Sequence, residues 1–269
     1  RPDPRFTSTL DAFYSDFKDD QIKRGIELPL YWSSATLQPG YTAANGLITA
    51  GTYTGVKGVL RNDVFQRHAK LYSFGWNNKW EGDNGWNAMF DASYSKTDRN
   101  ELNIESYSGT GRAGVGATDT IGFASSASGT GFTHLLNYGD YSLIKLTSPQ
   151  GWGGDQTGTN GVRIINGQDG YYNDRIVRDK LLQLRTEVER EFDGGAIHSV
   201  QLGANYTRRT KSLVPEEYFL GLAANTTGAV SLTVPDAYRM GTTNLKYLGL
   251  GPVISYDPTE LIADGIYNL

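Results

Sequence analysis

Hydrophobic and polar residues alternate one by one along several long stretches of this chain, the period of an extended strand with two unlike faces. From Leu71 to Glu81, Tyr72, Phe74, Trp76 and Trp80 share one face, interrupted only by Asn78. Ser73, Gly75, Asn77, Lys79 and Glu81 share the other. After the turn Gly82-Asp83-Asn84-Gly85, Trp86, Ala88, Phe90, Ala92 and Tyr94 lie opposite Asn87, Met89, Asp91, Ser93 and Ser95. A second hairpin repeats the design. Leu182, Leu184, Thr186, Val188 and Phe192 form one face, broken by Arg190, and Gln183, Arg185, Glu187, Glu189 and Glu191 form the other. Past Asp193-Gly194-Gly195, Val200, Leu202, Ala204 and Tyr206 oppose Ser199, Gln201, Gly203, Asn205 and Thr207. A less regular stretch sets Phe6, Ser8, Leu10, Ala12 and Tyr14 against Thr7, Thr9, Asp11, Phe13 and Ser15. The pattern predicts strands at about 6–17, 67–81, 86–97, 180–192 and 197–209. Asn-Gly and Asp-Gly at the two turns tolerate the positive φ of tight hairpins.

The connections alternate between very short and very long. Residues 18–66, 98–179 and 210–269 are left as loops, the first two of about 50 and about 80 residues against a usual median of about 4 to 6. Tight turns at one end and long loops at the other characterise outer-membrane barrels, whose short turns face the periplasm. Trp80, Trp86 and Phe192 near the turns, and Tyr72, Tyr94 and Tyr206 at the far ends, match two interfacial girdles. The expected fold class is all-β: an antiparallel up-and-down transmembrane β-barrel segment, partial at about five strands, with long extracellular loops. Five strands do not close a barrel, because single-chain bacterial barrels have even numbers from 8 upward. Residues 1–269 are therefore expected to be an internal part of one barrel domain.

Composition agrees with β-structure and narrows the function. The chain holds 33 Gly and 17 Tyr, with 38% hydrophobic residues, and glycine, tyrosine, asparagine and threonine suit strands joined by polar loops. A mean hydropathy of −0.44 leaves no run approaching the roughly 18–20 apolar residues of a spanning helix. A barrel strand shows lipid only every second side chain, so low hydropathy does not exclude the membrane. A net charge of −4 argues against a nucleic-acid partner. The absence of cysteine removes disulfide frameworks and thiol chemistry.

Phe6-Thr-Ser-Thr-Leu-Asp-Ala-Phe-Tyr-Ser-Asp-Phe17 with Lys18-Asp-Asp-Gln-Ile-Lys-Arg-Gly-Ile26 resembles the barrel of TonB-dependent receptors. So does Leu71-Tyr-Ser-Phe-Gly-Trp-Asn-Asn-Lys-Trp80 with Trp86-Asn-Ala-Met-Phe-Asp-Ala-Ser-Tyr-Ser95. The resemblance implies a plugged barrel of about 22 strands in the bacterial outer membrane. It also implies uptake of a siderophore, oligosaccharide or similar nutrient, driven through a TonB-type energy-coupling protein. Expected partners are outer-membrane lipid and lipopolysaccharide, the coupling protein through an N-terminal plug region not found here, and the small-molecule or oligosaccharide substrate. The rival readings are a passive outer-membrane pore and a secreted soluble carbohydrate-binding β-protein.

No enzymatic constellation is expected, and no cofactor or metal. Tyr31, Trp32, Tyr41, Trp152, Tyr171 and Tyr172 are the candidate substrate-binding residues, because loop aromatics beside amides and carboxylates stack on sugars or aromatic ligands. Arg185, Glu187, Glu189 and Glu191 are expected to face the lumen. The glutamates' spacing of about 6.5 to 7 Å falls within an inverting glycosidase's range, yet a polar wall is the simpler reading. Gly109-Thr-Gly111-Arg-Ala-Gly114 matches a dinucleotide fingerprint but lacks the strand before it and the helix after it. His68, His134 and His198 share no ligand spacing, and Asn166, Asp169, Asn173 and Asp174 lack the spacing of a calcium loop. Asp257-Pro258-Thr259-Glu260 followed by Gly265 predicts a short capped helix.

Overall fold

A computed structural model describes residues 4–153, 155–157, 161, 163–164 and 167–269. It is an antiparallel all-β structure. The principal strands are β1 (Phe6–Glu27), β2 (Leu47–Val56), β3 (Val59–Glu81), β4 (Trp86–Gly109), β5 (Asp119–Ser126) and β6 (Gly129–Thr133). They continue with β7 (Gly170–Glu191), β8 (Ser199–Leu222), β9 (Arg239–Asn244) and β10 (Pro252–Tyr256), then helix α1 (Pro258–Ala263) and β11 (Tyr267–Asn268). The largest sheet runs β1-β3-β4-β7-β8-β11, with Lys145–Leu146 on β4 and Leu232–Thr233 beyond it. The path starts at β1 and ends at β11, and no closed barrel forms among the described residues.

The five strands read from the alternation are β1, β3, β4, β7 and β8, but each is 22 to 24 residues long and outruns its predicted span. The expected loops 18–66, 98–179 and 210–269 accordingly need correction. Lys18–Glu27, Val59–Gln66, Asp98–Gly109, Gly170–Asp179 and Thr210–Leu222 are strand. Charged runs such as Lys18-Asp19-Asp20 carry no alternation. Their extension rests on hydrogen bonds to a neighbouring strand, which sequence periodicity does not register.

The chain divides into two compact units. Unit 1 takes residues 1–19, 66–101 and 174–215 and consists of strand segments joined by the two tight turns. In the first turn Asn84 (φ 58°) and Gly85 (φ 75°) both adopt left-handed backbone, and the Gly82 amide donates to the Trp86 carbonyl at 2.6 Å. At the second, Gly194 and Gly195 take positive φ and Phe192 N donates to the His198 carbonyl at 2.8 Å. Val177 is the sole buried hydrophobic side chain among the described residues of this unit.

Unit 2 takes residues 20–65, 102–173 and 216–269 and holds the whole hydrophobic core. Leu60, Ile104, Leu146, Leu220, Ile254, Tyr256 and Leu261 are fully buried members. Asn62 docks β10 by mimicking a strand: its amide nitrogen donates to the Ile254 carbonyl at 3.3 Å, and its oxygen accepts from Tyr256 N at 3.1 Å. A separate five-stranded sheet pairs Thr36–Leu37 and Thr42–Ala44 with β2, β2 with β5, and β5 with β6. The predicted capped helix is α1, where the Asp257 carboxylate accepts from Thr259 N at 2.8 Å and Pro258 occupies the first turn.

Candidate functional site

Unit 1 presents two chemically distinct faces. On the apolar one Trp76 meets Phe90 edge-on at 5.9 Å, and Tyr14 lies 5.1 Å from Tyr72. These contacts put the even-numbered residues of β1, β3 and β4 side by side. Phe74 is 58% exposed, Trp76 47% and Val200 55%, so the face is uncovered. A shallow apolar groove of about 410 Å³ runs across it, lined by Leu10, Ala12, Phe74, Trp76, Tyr94 and Leu182. Trp80, Trp86 and Phe192 bound this face beside the tight turns; Tyr14, Tyr72, Tyr94 and Tyr206 bound it at the other end. Trp80 and Tyr72 are eight residues apart, roughly 27 Å along the strand.

The opposite face is polar. Asn77 donates to Asp91 at 3.0 Å, and Glu187 accepts from Arg185 at 2.8 Å and from Gln201. Glu187, Glu189 and Glu191 line a groove of about 570 Å³ with Lys79, Glu81 and Asn87. Arg185 thus balances one of the three glutamates directly.

The six candidate substrate aromatics fall in several places within unit 2. Tyr31 and Trp32 form an outward pair with rings 5.3 Å apart, and Trp32 is 91% exposed. Trp32 holds φ at 52°, a strained conformation for a bulky residue. The loop is fixed by Ser33, whose hydroxyl donates to the Pro29 carbonyl at 2.8 Å, and by Ser34 donating to Gly55 O at 2.7 Å. Tyr41 is exposed beside Leu37 and Phe123 at Gly51, where any added Cβ would meet all three at 3.2 Å. Tyr171 and Tyr172 lie on β7, not in a loop, and pack against Phe219 and Tyr218 at 6.3 and 6.2 Å.

Trp152 has the richest surroundings. Gly151 and Gly153 flank it at φ 67° and 82°, and its ring meets Tyr107 edge-on at 6.4 Å. The Arg61 guanidinium lies 5.0 Å from the Tyr107 ring. It contacts three carboxylates: Glu27 at 2.6 Å, Glu105 at 2.7 Å and Asp63 at 3.0 Å. Tyr107 donates its hydroxyl to Glu105 at 3.2 Å, and Ser106 N donates to Asp63 at 3.1 Å. One cation among three carboxylates leaves the cluster net negative, with Glu27 and Glu105 partly open to solvent. Sequence reasoning missed Arg61, Asp63, Glu27 and Glu105 as site residues. All four lie in segments expected to be loop, and Glu27 follows a run without alternation.

The remaining motifs resolve into structural roles. The loop around Gly111 turns carbonyls, not amides, inward: Gly111 and Arg112 accept from the buried Lys57 ammonium at 3.1 Å each, and Val115 accepts a third bond. That polarity suits a cation and opposes a phosphate cradle. Burial holds the Lys57 pKa below its ordinary value. Of the calcium-loop candidates, Asn166 lies outside the described residues. Asp169 is fully buried and accepts from Arg112 at 2.7 Å and from Leu222 N at 3.1 Å. Asn173 donates to Glu217 at 3.0 Å. His68 pairs with Asp16 at 2.6 Å, and His134 with the Leu136 carbonyl at 2.7 Å. Among the described residues no three His, Asp or Glu side chains form a metal-binding group. No family model matches the chain, and no curated protein matches it.

Proposed function

We propose that this chain forms barrel wall and extracellular vestibule of an outer-membrane, TonB-dependent importer of a nutrient ligand. The uncovered apolar face of unit 1 carries the reading. Phe74, Trp76, Phe90 and Val200 lie open between two rows of aromatic side chains, in a unit without a core of its own. A soluble two-layer β-protein buries such a face under a second sheet. Bilayer hydrocarbon matches that face in chemistry and in the height between its aromatic rows. The polar opposite face, with Asn77, Asp91 and the three glutamates, suits a water-facing lumen.

Unit 2 favours a ligand-capturing importer over a passive pore. A simple pore has no need of a separately packed core or of Trp152 set on Tyr107, whose ring lies under Arg61. The net negative charge there disfavours anionic ligands and suits a neutral, hydroxyl-rich or cationic one. Coupling through a TonB-type protein follows from the family resemblance and is the second half of the proposal.

The chain has no cysteine of its own, so labelling of a cysteine introduced into it is read against the unsubstituted protein. Phe74→Cys, Trp76→Cys and Phe90→Cys in the full protein, in intact outer membranes, should react with a lipid-dissolved maleimide and resist an aqueous one. Lys79→Cys and Asp91→Cys should do the reverse. Aqueous labelling of positions 74 and 76 overturns the membrane reading. Ligand accumulation that survives collapse of the inner-membrane proton gradient moves the assignment to a passive pore.

A further inference from the structure

Unit 2 holds Met240, one of the chain's two methionines, and its backbone presents that side chain to solvent. β9 and β10 pair antiparallel, with a register shift between Arg239 and Thr242. Met240 and Gly241 make up this bulge. Gly241 sits at φ 75° in open space, and its carbonyl is fixed by the Tyr141 hydroxyl at 2.7 Å. A bulge re-aims a side chain out of the ordinary alternation of a strand. Met240 is accordingly 51% exposed, although a thioether is well suited to filling a core.

The sulfur meets a guanidinium. Arg24, near the end of β1 and also in unit 2, donates from Nη2 to Met240 Sδ at 3.1 Å, across 216 positions of chain. A thioether is a weak acceptor, a poor match for so strong a donor. Among the described residues Arg24 forms no ion pair, and its Nε–H is buried without an acceptor. Arg239, next to Met240, is instead held by Asp236 at 2.8 Å, by the Val234 carbonyl at 3.0 Å and by the Tyr141 ring at 4.7 Å. The other methionine, Met89, is half-buried on the polar face of unit 1 beside Glu187, Glu189 and Glu191. Among the described residues its sulfur takes no hydrogen bond.

We infer that Met240 is a modification site for hydroperoxides, and that Arg24 receives the oxygen its sulfur gains. The sulfur gives an electron pair to one oxygen of hydrogen peroxide, and an S–O bond forms as the O–O bond breaks. The departing hydroxide takes the proton left on the transferred oxygen and becomes water. Sulfur is oxidised by two electrons, peroxide is reduced by two, and the product is the sulfoxide. Arg24 engages one side of the sulfur, and the exposed side admits the peroxide. Rotation of the flexible side chain then turns the new oxygen to the guanidinium. A weak N–H···S contact becomes a charge-assisted N–H···O bond, with Nε–H as a second donor for the same oxygen. Methionine sulfoxide ordinarily loosens a fold, because a polar group replaces one that packed as apolar. Here oxidation tightens a clasp between β1 and β9. The inference is independent of the membrane reading.

The test treats the full protein and its variants Arg24→Gln, Met240→Leu and Met240→Gln with graded hydrogen peroxide. Peptide mass mapping follows oxygen uptake, and urea unfolding is measured before and after. Met240 should gain oxygen several-fold faster than Met89. Treated Met240→Leu supplies the baseline for oxidation anywhere else in the protein. Against that baseline, oxidation should raise the unfolding midpoint of the wild type and lower that of Arg24→Gln. Methionine sulfoxide reductase should reverse both shifts. Met240→Gln, whose amide oxygen stands in for the sulfoxide, should unfold at a higher midpoint than Met240→Leu without any peroxide. Met240 oxidising no faster than Met89 overturns the inference. A midpoint that falls in the oxidised wild type overturns it too, as do equal shifts in wild type and Arg24→Gln. If Arg24→Gln does not fold, a Met240→Gln midpoint no higher than that of Met240→Leu overturns the inference in its place.

Discussion

Asp169 shows how one residue ties unit 2 together. Its carboxylate takes Arg112 at 2.7 Å and Leu222 N at 3.1 Å, its amide donates to the Leu220 carbonyl, and its carbonyl accepts from Tyr107 N. Arg112 also donates to the Val230 carbonyl at 2.9 Å. Burial raises the Asp169 pKa to about 6, and the Arg112 charge pulls it back without overcoming that. The folded value lies above the unfolded value of about 3.9, so protonation favours the folded state. This contribution is full below about pH 4 and is lost as pH rises through about 6. Asp169→Asn cannot titrate and removes the carboxylate charge beside Arg112. The stability gap between wild type and Asp169→Asn should therefore narrow as pH rises from about 4 to about 6. Denaturant unfolding of both proteins across that range measures it, and a constant gap means that Asp169 does not titrate there.

At the scale of elements, the tight turns behave as their residues demand and the long strands exceed what theirs announce. Gly85 combines left-handed backbone with a close neighbour: a Cβ there would lie 2.6 Å from the Glu191 carbonyl oxygen. Gly194 has similar backbone, φ 84°, but open space around it. Gly85→Ala should destabilise by about 2–4 kcal/mol and Gly194→Ala by about 1–2 kcal/mol, the difference being the clash. Urea unfolding of the folded protein compares them, and equal losses would show that only backbone conformation matters. Pro215 lies inside β8 although proline interrupts a paired strand. Beside β8 on the side away from β7, Gly221 and Leu222 pair with β11.

At the scale of the molecule, the candidate ligand surface belongs to unit 2, where Trp152 and the Tyr31–Trp32 pair face different surroundings. Under the proposed import function, Trp152→Ala removes a ring packed on Tyr107 beside Arg61 and should weaken ligand affinity in the full protein about tenfold or more, given stacking contributions of roughly 1–3 kcal/mol. Trp32→Ala should weaken it through a lost exposed face with stability unchanged. Unaltered affinity in both variants removes these aromatics from the ligand surface. The local sequence was enough for whatever depends on near neighbours. Period-2 alternation marked the cores of β1, β3, β4, β7 and β8 and their unlike faces, Asn84-Gly85 and Gly194-Gly195 marked the turns, and Asp257-Pro258 marked α1. Each follows from backbone preference or side-chain parity within a few residues. Tertiary structure alone decided the rest. It extended the strands through charged segments by pairing them. It brought Arg61 to Glu27 and Glu105 across 34 and 44 positions, and gave Asp169 to Arg112 across 57. Partners that far apart leave no local period in the chain, because their meeting is set by strand order and core packing.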